Sequence, residues 1–338
     1  MNRRDLLLSV GAVMAAPARS ALMRAQSRGA PAIHVRSLNH VHLVVSNLQR
    51  SLEFYQRVFG LPLAGMQGVE ADWNKRVIPM LAIGAGPQFI SFNEGPGRAS
   101  GRDRIDHFGF GVNGFDAQRI IRMLAAHEIK GTIRMRADAD PAVAELKYSD
   151  PDNIIVQIQD VSYCGGSGVL GSRCQHQAAP KFAGAPPPIP VRTLNHLTVM
   201  VSDVPRAIAF YQRVHGMRMQ ANQGVEADWS KPVIPVLAIG DGPQFLAFGR
   251  GGAAGGRLDH FCVGMEGFNA DRVVKMLAEH GIKASVRRRA DSSPPAEELM
   301  FSDPDGIRVQ IQDVSYCGGG GALGDHCDAL NKPRASAR

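Results

Sequence analysis

The chain has few aromatic residues, 6% of 338, and only two tryptophans. It also lacks a basic stripe. Its lysines and arginines are scattered, in short runs such as Arg287-Arg288-Arg289. A nucleic-acid surface interleaves basic and aromatic side chains, so this pattern excludes nucleic acid as a partner. Charged residues are sparse, at 20% against 44% hydrophobic. That balance excludes a disordered chain and describes a globular one, long enough for two or three domains. There is no acidic excess; the formal net charge is +7. A mild, dispersed positive charge suits a small anionic substrate. Long apolar runs are absent too. The run from Leu6 to Ala16 is too short to span a bilayer, and no later segment is long and apolar enough.

That first apolar run follows Arg3-Arg4. It precedes small residues at Ala16-Pro17-Ala18 and Ala18-Arg19-Ser20-Ala21. The pattern predicts an export signal of twin-arginine type over residues 1–26. The mature protein is then periplasmic or secreted, with no stable membrane insertion. This export route carries folded proteins, so a metal can be taken up before competing metals are met outside. Export also gives the five cysteines a reading. Cys164/Cys174 and Cys317/Cys327 close matched Gly-rich loops, and an oxidising compartment predicts one local disulfide for each. The alternative is a thiolate metal site with His176 or His326. Cys262 lies in an apolar run and reads as a buried small hydrophobe.

The chain repeats itself. "VRSLNHVHLVVSNLQRSLEFYQRVFG" from Val35 matches "VRTLNHLTVMVSDVPRAIAFYQRVHG" from Val191. "QGVEADW" occurs at Gln67 and Gln223, and "DPDNIIVQIQDVSYCGG" at Asp150 returns as "DPDGIRVQIQDVSYCGG" at Asp303. The second copy is shorter in its Gly-rich stretch near Gly251. The copies occupy 36–163 and 191–316. Residues 164–174 form a Cys-bounded loop, 175–190 a Pro/Ala-rich linker of extended character, and 317–338 a second Cys-bounded loop and tail.

Each copy divides again. Leu38–Val45 alternates like a strand, and Leu48–Phe59 has helical spacing followed by glycine. Strand-like runs follow at Val77–Ile83 and Gln88–Phe92. A new strand opens at His107–Val112, then a helix at Phe115–His127. Strands at Ile133–Arg136, Ala144–Tyr148 and Ile154–Gln159 complete the copy. The predicted order is βαβββ, twice per copy, which makes an α+β fold of four modules in two tandem domains.

This wording resembles the vicinal oxygen chelate superfamily of glyoxalase I, bleomycin-resistance proteins and extradiol dioxygenases. "NHVHLVVSNLQRSLEFYQRVFGL" looks like the family's opening strand and helix, "DHFGFGV" like its second-half opener, and "YSDPDNIIVQI" and "FSDPDGIRVQI" like its closing strand. The resemblance implies that two modules pair into a cupped sheet around one divalent metal, Fe(II) or Mn(II) first and Zn(II) next. The ring-cleaving pattern of His, His, Glu falls on His40, His107 and Gln157, and again on His196, His260 and Gln310. The four-ligand glyoxalase pattern needs a ligand near Ser91 and Ala247 and is disfavoured.

Imidazole is a good divalent-metal ligand whatever the family. Alternation points Asp106 and His107 to opposite faces, which removes Asp106 as third ligand. His42 has no counterpart, since Thr198 stands in its place. His127 and His280 recur at helix ends, where positive charge is expected. All three are set aside. Glutamine keeps an oxygen but deletes a charge, raising the site from +1 to +2 with a metal bound. It is either a neutral ligand, with substrate supplying the missing charge, or the mark of a metal-free cup. Glu145 and Glu298 are candidates for replacement ligand or general base. Gln159 and Gln312 share a strand face with Gln157 and Gln310 and can contact substrate. Glu70, Trp73, Glu226 and Trp229 lie on a loop that lines the cavity in the family, or is pinned at the surface by its tryptophan. Asp150/Asp152 and Asp303/Asp305 shape turns.

The leading reading is therefore an exported, dioxygenase-like metalloenzyme. It would chelate a small anionic or aromatic substrate through two neighbouring oxygens, as a monomer or homodimer. The alternatives are a metal-free sequestering protein and a glyoxalase-like lyase or isomerase. Two equal metal sites would make His40→Ala and His196→Ala each remove half the bound metal.

Overall fold

The computed structural model describes residues 30–68, 77–96, 105–224, 233–252 and 256–327. Glu70, Trp73, Glu226, Trp229 and the predicted signal lie outside the described residues. The first copy runs β1 (Ser37–Val45), α1 (Leu48–Phe59), β2 (Leu63–Gln67), β3 (Ile78–Ala82), β4 (Phe89–Glu94), β5 (Ile105–Val112), α2 (Ala117–Ala126), β6 (Gly131–Arg136), β7 (Val143–Ser149) and β8 (Ile155–Asp160). The second repeats it as β9 (Val191–Val201), α3 (Val204–His215), β10 (Met219–Gln223), β11 (Ile234–Ala238), β12 (Phe245–Arg250), β13 (Arg257–Met265), α4 (Ala270–Glu279), β14 (Ser285–Arg289), β15 (Ala296–Ser302) and β16 (Arg308–Asp313). Among the described residues no helix is long and apolar enough to cross a membrane.

Local chemistry sets the helix limits. Asn47 and Asp203 accept hydrogen bonds from the backbone N–H groups of Arg50 and Arg206, capping α1 and α3. The short strand β2 escapes the periodicity reading because "LAGMQ" holds a glycine and only partial alternation.

Each copy forms one eight-stranded sheet, in the order β2-β3-β4-β1-β5-β8-β7-β6 for the first. β1 and β5, the opening strands of the two modules, pair antiparallel at the centre. That pairing brings the two repeated histidine positions side by side. Each opening strand also pairs parallel with its own module's last strand, β1 with β4 and β5 with β8. Helix faces and the outer sheet faces share a continuous core that includes Leu38, Tyr55, Phe92, Leu194, Tyr211 and Phe248. Cys164 is bonded to Cys174 and Cys317 to Cys327, with Cα atoms 6.1 Å apart in each pair. Cys262 is fully buried.

The copies dock through reciprocal contacts. Gln88 donates to the Leu38 and Leu194 carbonyls and accepts from Leu194 N–H. Gln244 mirrors it, donating to both carbonyls and accepting from Leu38 N–H. The Asp-Pro-Asp turns do more than shape chain reversal. Asp150 Oδ1 accepts from the N–H groups of Asp152 and Ile154, which holds its own turn. Its Oδ2 accepts from the Tyr211 hydroxyl of the other copy at 3.0 Å. Asp303 does the same with Tyr55 at 2.9 Å. Asp305 and Asp152 reach Ser46 and Ser202 across the same junction. His127 and His280 bind the carbonyls of Pro31 and Pro187, tying down the segments that lead into each copy.

Burial raises Asp150 and Asp303 to about 6, against opposing hydrogen bonds. A raised carboxyl holds its proton more tightly in the folded chain. The two groups therefore cost nothing below about pH 4; their penalty accumulates between about pH 4 and 6 and levels off at about 3 kcal/mol each above that. Asparagine can keep the Oδ1 contacts without the charge. Asp150→Asn and Asp303→Asn are expected to gain roughly 1–3 kcal/mol relative to the parent at pH 7.5 and about a third of that at pH 4.5. Urea unfolding at the two pH values measures this; a gain independent of pH would disprove it.

Candidate functional site: two unequal cups

Alternation along the central strands turns His40 and His42 of β1, and His107 of β5, onto the concave face. Gln157 of β8 and Glu145 and Lys147 of β7 come from the flank, and Ser91 and Asn93 of β4 from the other side. They line a cavity of about 770 Å³. Gly109 makes the floor possible. A Cβ there would lie 2.1 Å from His40 Cε1. Cys262 takes this place in the second copy, paired in register with both His196 and Gln310.

The neighbours of each histidine fix its proton. Asn39 Nδ2 donates to the Tyr163 carbonyl, so its Oδ1 accepts from His40 Nδ1 at 2.8 Å. Burial, then the charges of His107 and Lys147, holds His40 well below the usual imidazole range. The neutral ring therefore turns its Nε2 lone pair toward the cup. Asn195 and the Tyr316 carbonyl repeat this for His196, which burial also keeps neutral. Asp106 and Asp259 accept from Nδ1 of His107 and His260 at 2.8 Å. The hydrogen bond from His107 lowers Asp106 to about 2. An imidazole held at Nδ1 by an acceptor, with Nε2 presented, is the arrangement that supports a metal-ligating histidine. The paired rings meet edge to face, 5.7 Å apart in both copies, and Phe89 and Phe245 stack on His40 and His196 at 4.6 and 4.2 Å.

The side-chain amides of Gln157 and Gln310 stand against the rings of His40 and His196, where an amide N–H can donate to the Nε2 lone pair. The Gln310 amide nitrogen is buried and has no partner among the described residues. Turned over, the same amide would offer its oxygen to an ion together with the neutral Nε2 of His196. The second cup fits a divalent ion on this ground. There, among the described residues, His260 Nε2 meets only the Thr198 hydroxyl, at 3.1 Å. The first cup does not fit. Lys147 Nζ lies 3.1 Å from His107 Nε2 and occupies the lone pair an ion would need. His42, held by Ser91 and Asn93, stacks on His107 at 4.7 Å. Burial and the neighbouring His107 bring His42 down to about 3.

Several expectations change. Glu145 and Glu298 reach the cups, but their oxygens are taken. Arg134 and Arg287 bind one oxygen, at 2.7 and 2.5 Å, and the hydroxyls of Tyr163 and Tyr316 the other, at 3.0 and 2.9 Å. These carboxylates anchor the wall and do not replace a ligand or serve as free bases. Gln159 and Gln312 are fully buried; Gln159 is not part of the first cavity's lining, and Gln312 gives its amide to the Glu297 carbonyl. His42, set aside for want of a counterpart, stands inside the first cup. Asn39, Asp106 and Tyr163, with their equivalents, were missed as positioning residues. Their signal was the repeated dipeptides Asn-His and Asp-His and the repeated "VSYCGG".

Solved structures share the fold at low identity. The 2,3-dioxygenase LapB from Pseudomonas sp. KL28 is 17% identical, with a TM-score of 0.61 over 83% of this chain and 93% of that one. Homoprotocatechuate 2,3-dioxygenase from Arthrobacter globiformis is 16% identical, with a TM-score of 0.60 over 84% and 81%. The halotolerant catechol dioxygenase BphC is 15% identical, with a TM-score of 0.58 over 83% and 87%. No curated protein matches the sequence. A family model matches residues 37–158 and again 193–311, so both copies, and with them the chain, belong to the Glyoxalase/Bleomycin resistance protein/Dioxygenase superfamily.

Proposed function

We propose that the protein is an exported metal-dependent enzyme of dioxygenase-like chemistry, with its centre in the second cup. His196, His260 and Gln310 would hold the ion. The observation that supports this most is the pair of buried imidazoles, His196 and His260, each held at Nδ1 by an acceptor and set beside the Gln310 amide. Fe(II) or Mn(II) suits imidazole and oxygen donors with open positions, and Zn(II) is next. A bound ion would hold two neighbouring oxygens of a substrate and favour their ionised form. The chain's own residues do the rest. Asn195 and Asp259 fix the rings, and Phe245 covers one face of His196 against water. Three neutral donors leave the ion's charge uncompensated, which favours a substrate carrying two negative charges, such as a catecholate.

Metal analysis of the full chain, folded in the cytoplasm, tests the reading. About one equivalent of Fe, Mn or Zn per chain is expected, followed by oxygen uptake with a catechol panel. Metal at trace level only would overturn it. Export belongs to the same proposal, supported by the twin arginine and by a disulfide in each copy. N-terminal sequencing of the mature protein should begin downstream of Ala18, from a periplasmic or secreted fraction. An uncut cytoplasmic protein with reduced cysteines would refute export.

A further inference from the structure

The first cup departs from the second at four facing positions together. His42, Ser91, Asn93 and Lys147 stand where the second copy has Thr198, Ala247, Gly249 and Met300. Each of the four lines the 770 Å³ cavity. Here a cation has been placed on the nitrogen an ion would otherwise take.

We propose that the first cup is a metal-free site for a small 2-hydroxy carboxylate, with Lys147 receiving the carboxylate and His40 the hydroxyl. The donor and acceptor inventory leads there. An ammonium has three N–H donors. Lys147 uses one on His107 Nε2, and no described residue gives it a carboxylate partner. The described carboxylates around the cavity are already engaged. Asp106 holds His107, Glu145 holds Arg134 and Tyr163, and Glu94 accepts from Leu48 N–H at the start of α1. The remaining Lys147 donors are left for a ligand anion. His40 has committed Nδ1 to Asn39, so its Nε2 is an acceptor on the cavity wall, beside the Gln157 amide. A cationic donor beside a neutral acceptor is complemented by an oxyanion with a hydroxyl next to it. Phe89, stacked on His40, and Val44 and Ile78 add apolar wall for a substituent on such an acid.

The second copy shows what the alternative looks like. There Arg308, at the place of Ile155, neutralises Asp259 from outside at 2.6 Å, and methionine replaces the lysine. If Lys147 only balanced Asp106 through His107, its removal would alter stability and leave ligand binding untouched. The inference does not depend on metal in the second cup, because its test uses metal-stripped protein.

Titration calorimetry of the EDTA-treated, dialysed chain with mandelate and glycolate is the experiment. One ligand per chain is expected without metal. Lys147→Met, which installs the residue the second copy tolerates, should weaken mandelate about tenfold or more, the worth of a charge-assisted pair. Unmodified protein should also discriminate against methyl mandelate, which lacks the charge, and phenylacetate, which lacks the hydroxyl. These two comparisons need no variant to fold. Binding that requires added divalent metal would overturn the proposal. So would equal affinity in Lys147→Met, equal affinity for the two analogues, or no binding of either acid.

Discussion

Replacing His196 with alanine is expected to remove the bound metal, and replacing His40 is not. The two residues are equivalent in the repeat, and equal sites would share the loss equally between them. Lys147 breaks that equivalence. An ammonium donating to His107 Nε2 both occupies a ligand nitrogen and repels an incoming cation in a buried cup. In the second cup the corresponding residue is Met300, and His260 faces a neutral hydroxyl that can rotate away. Metal content should therefore fall to trace in His196→Ala and stay near the parent level in His40→Ala. Asp259→Ala should weaken metal by about 10–100-fold, because it frees the ring that Asp259 orients. Halving by each histidine variant would restore two equal sites and defeat the assignment to the second cup alone.

The largest loss of stability is expected from single methyl groups at the junction between copies. Gly84 has φ +65°, and a Cβ there would lie 2.1 Å from the Arg192 carbonyl oxygen of the other copy. Gly240 has φ +64°, with a Cβ 2.3 Å from the Arg36 carbonyl oxygen. Alanine is strained in that conformation and here strikes backbone, which cannot swing aside. Gly84→Ala and Gly240→Ala should each cost about 3 kcal/mol or more, from the left-handed conformation and overpacking together. Gly86 lies in the same loop with open space around its Cβ position. Gly86→Ala should stay within about 0.5 kcal/mol of the parent. Chemical unfolding separates the three. Equal effects at Gly84 and Gly86 would show that the glycines do not govern docking.

Much of this architecture was legible because the chain states it twice. Helix α1 is read to the residue from its apolar spacing and the glycine after it. Most strand limits move by a residue or two, as hydrogen bonding extends ladders beyond the apolar run. β2 stayed hidden, since a strand with little alternation is defined by its partner β3 and not by its own pattern. The histidine and glutamine positions were legible as a set. Their inequality was not. Lys147 looked like any polar residue on a strand until β7 was placed beside β8, opposite Gln157.

Repeats and periodicity by themselves determined the tandem modules and the matched cysteines, and the family resemblance of the repeated motifs supplied the residues at each cup. Those features depend on neighbours along the chain, and the sequence holds them directly. Tertiary structure alone decided which carboxylates were already bound, which histidine nitrogen faced inward, and how the Asp-Pro-Asp turns clasp the opposite copy. Each of these depends on partners far apart in the chain, such as Tyr55 and Asp303 or His107 and Lys147. Hydrogen-bond competition is settled by distance and direction in space, and that competition is what makes two nearly identical copies into two different sites.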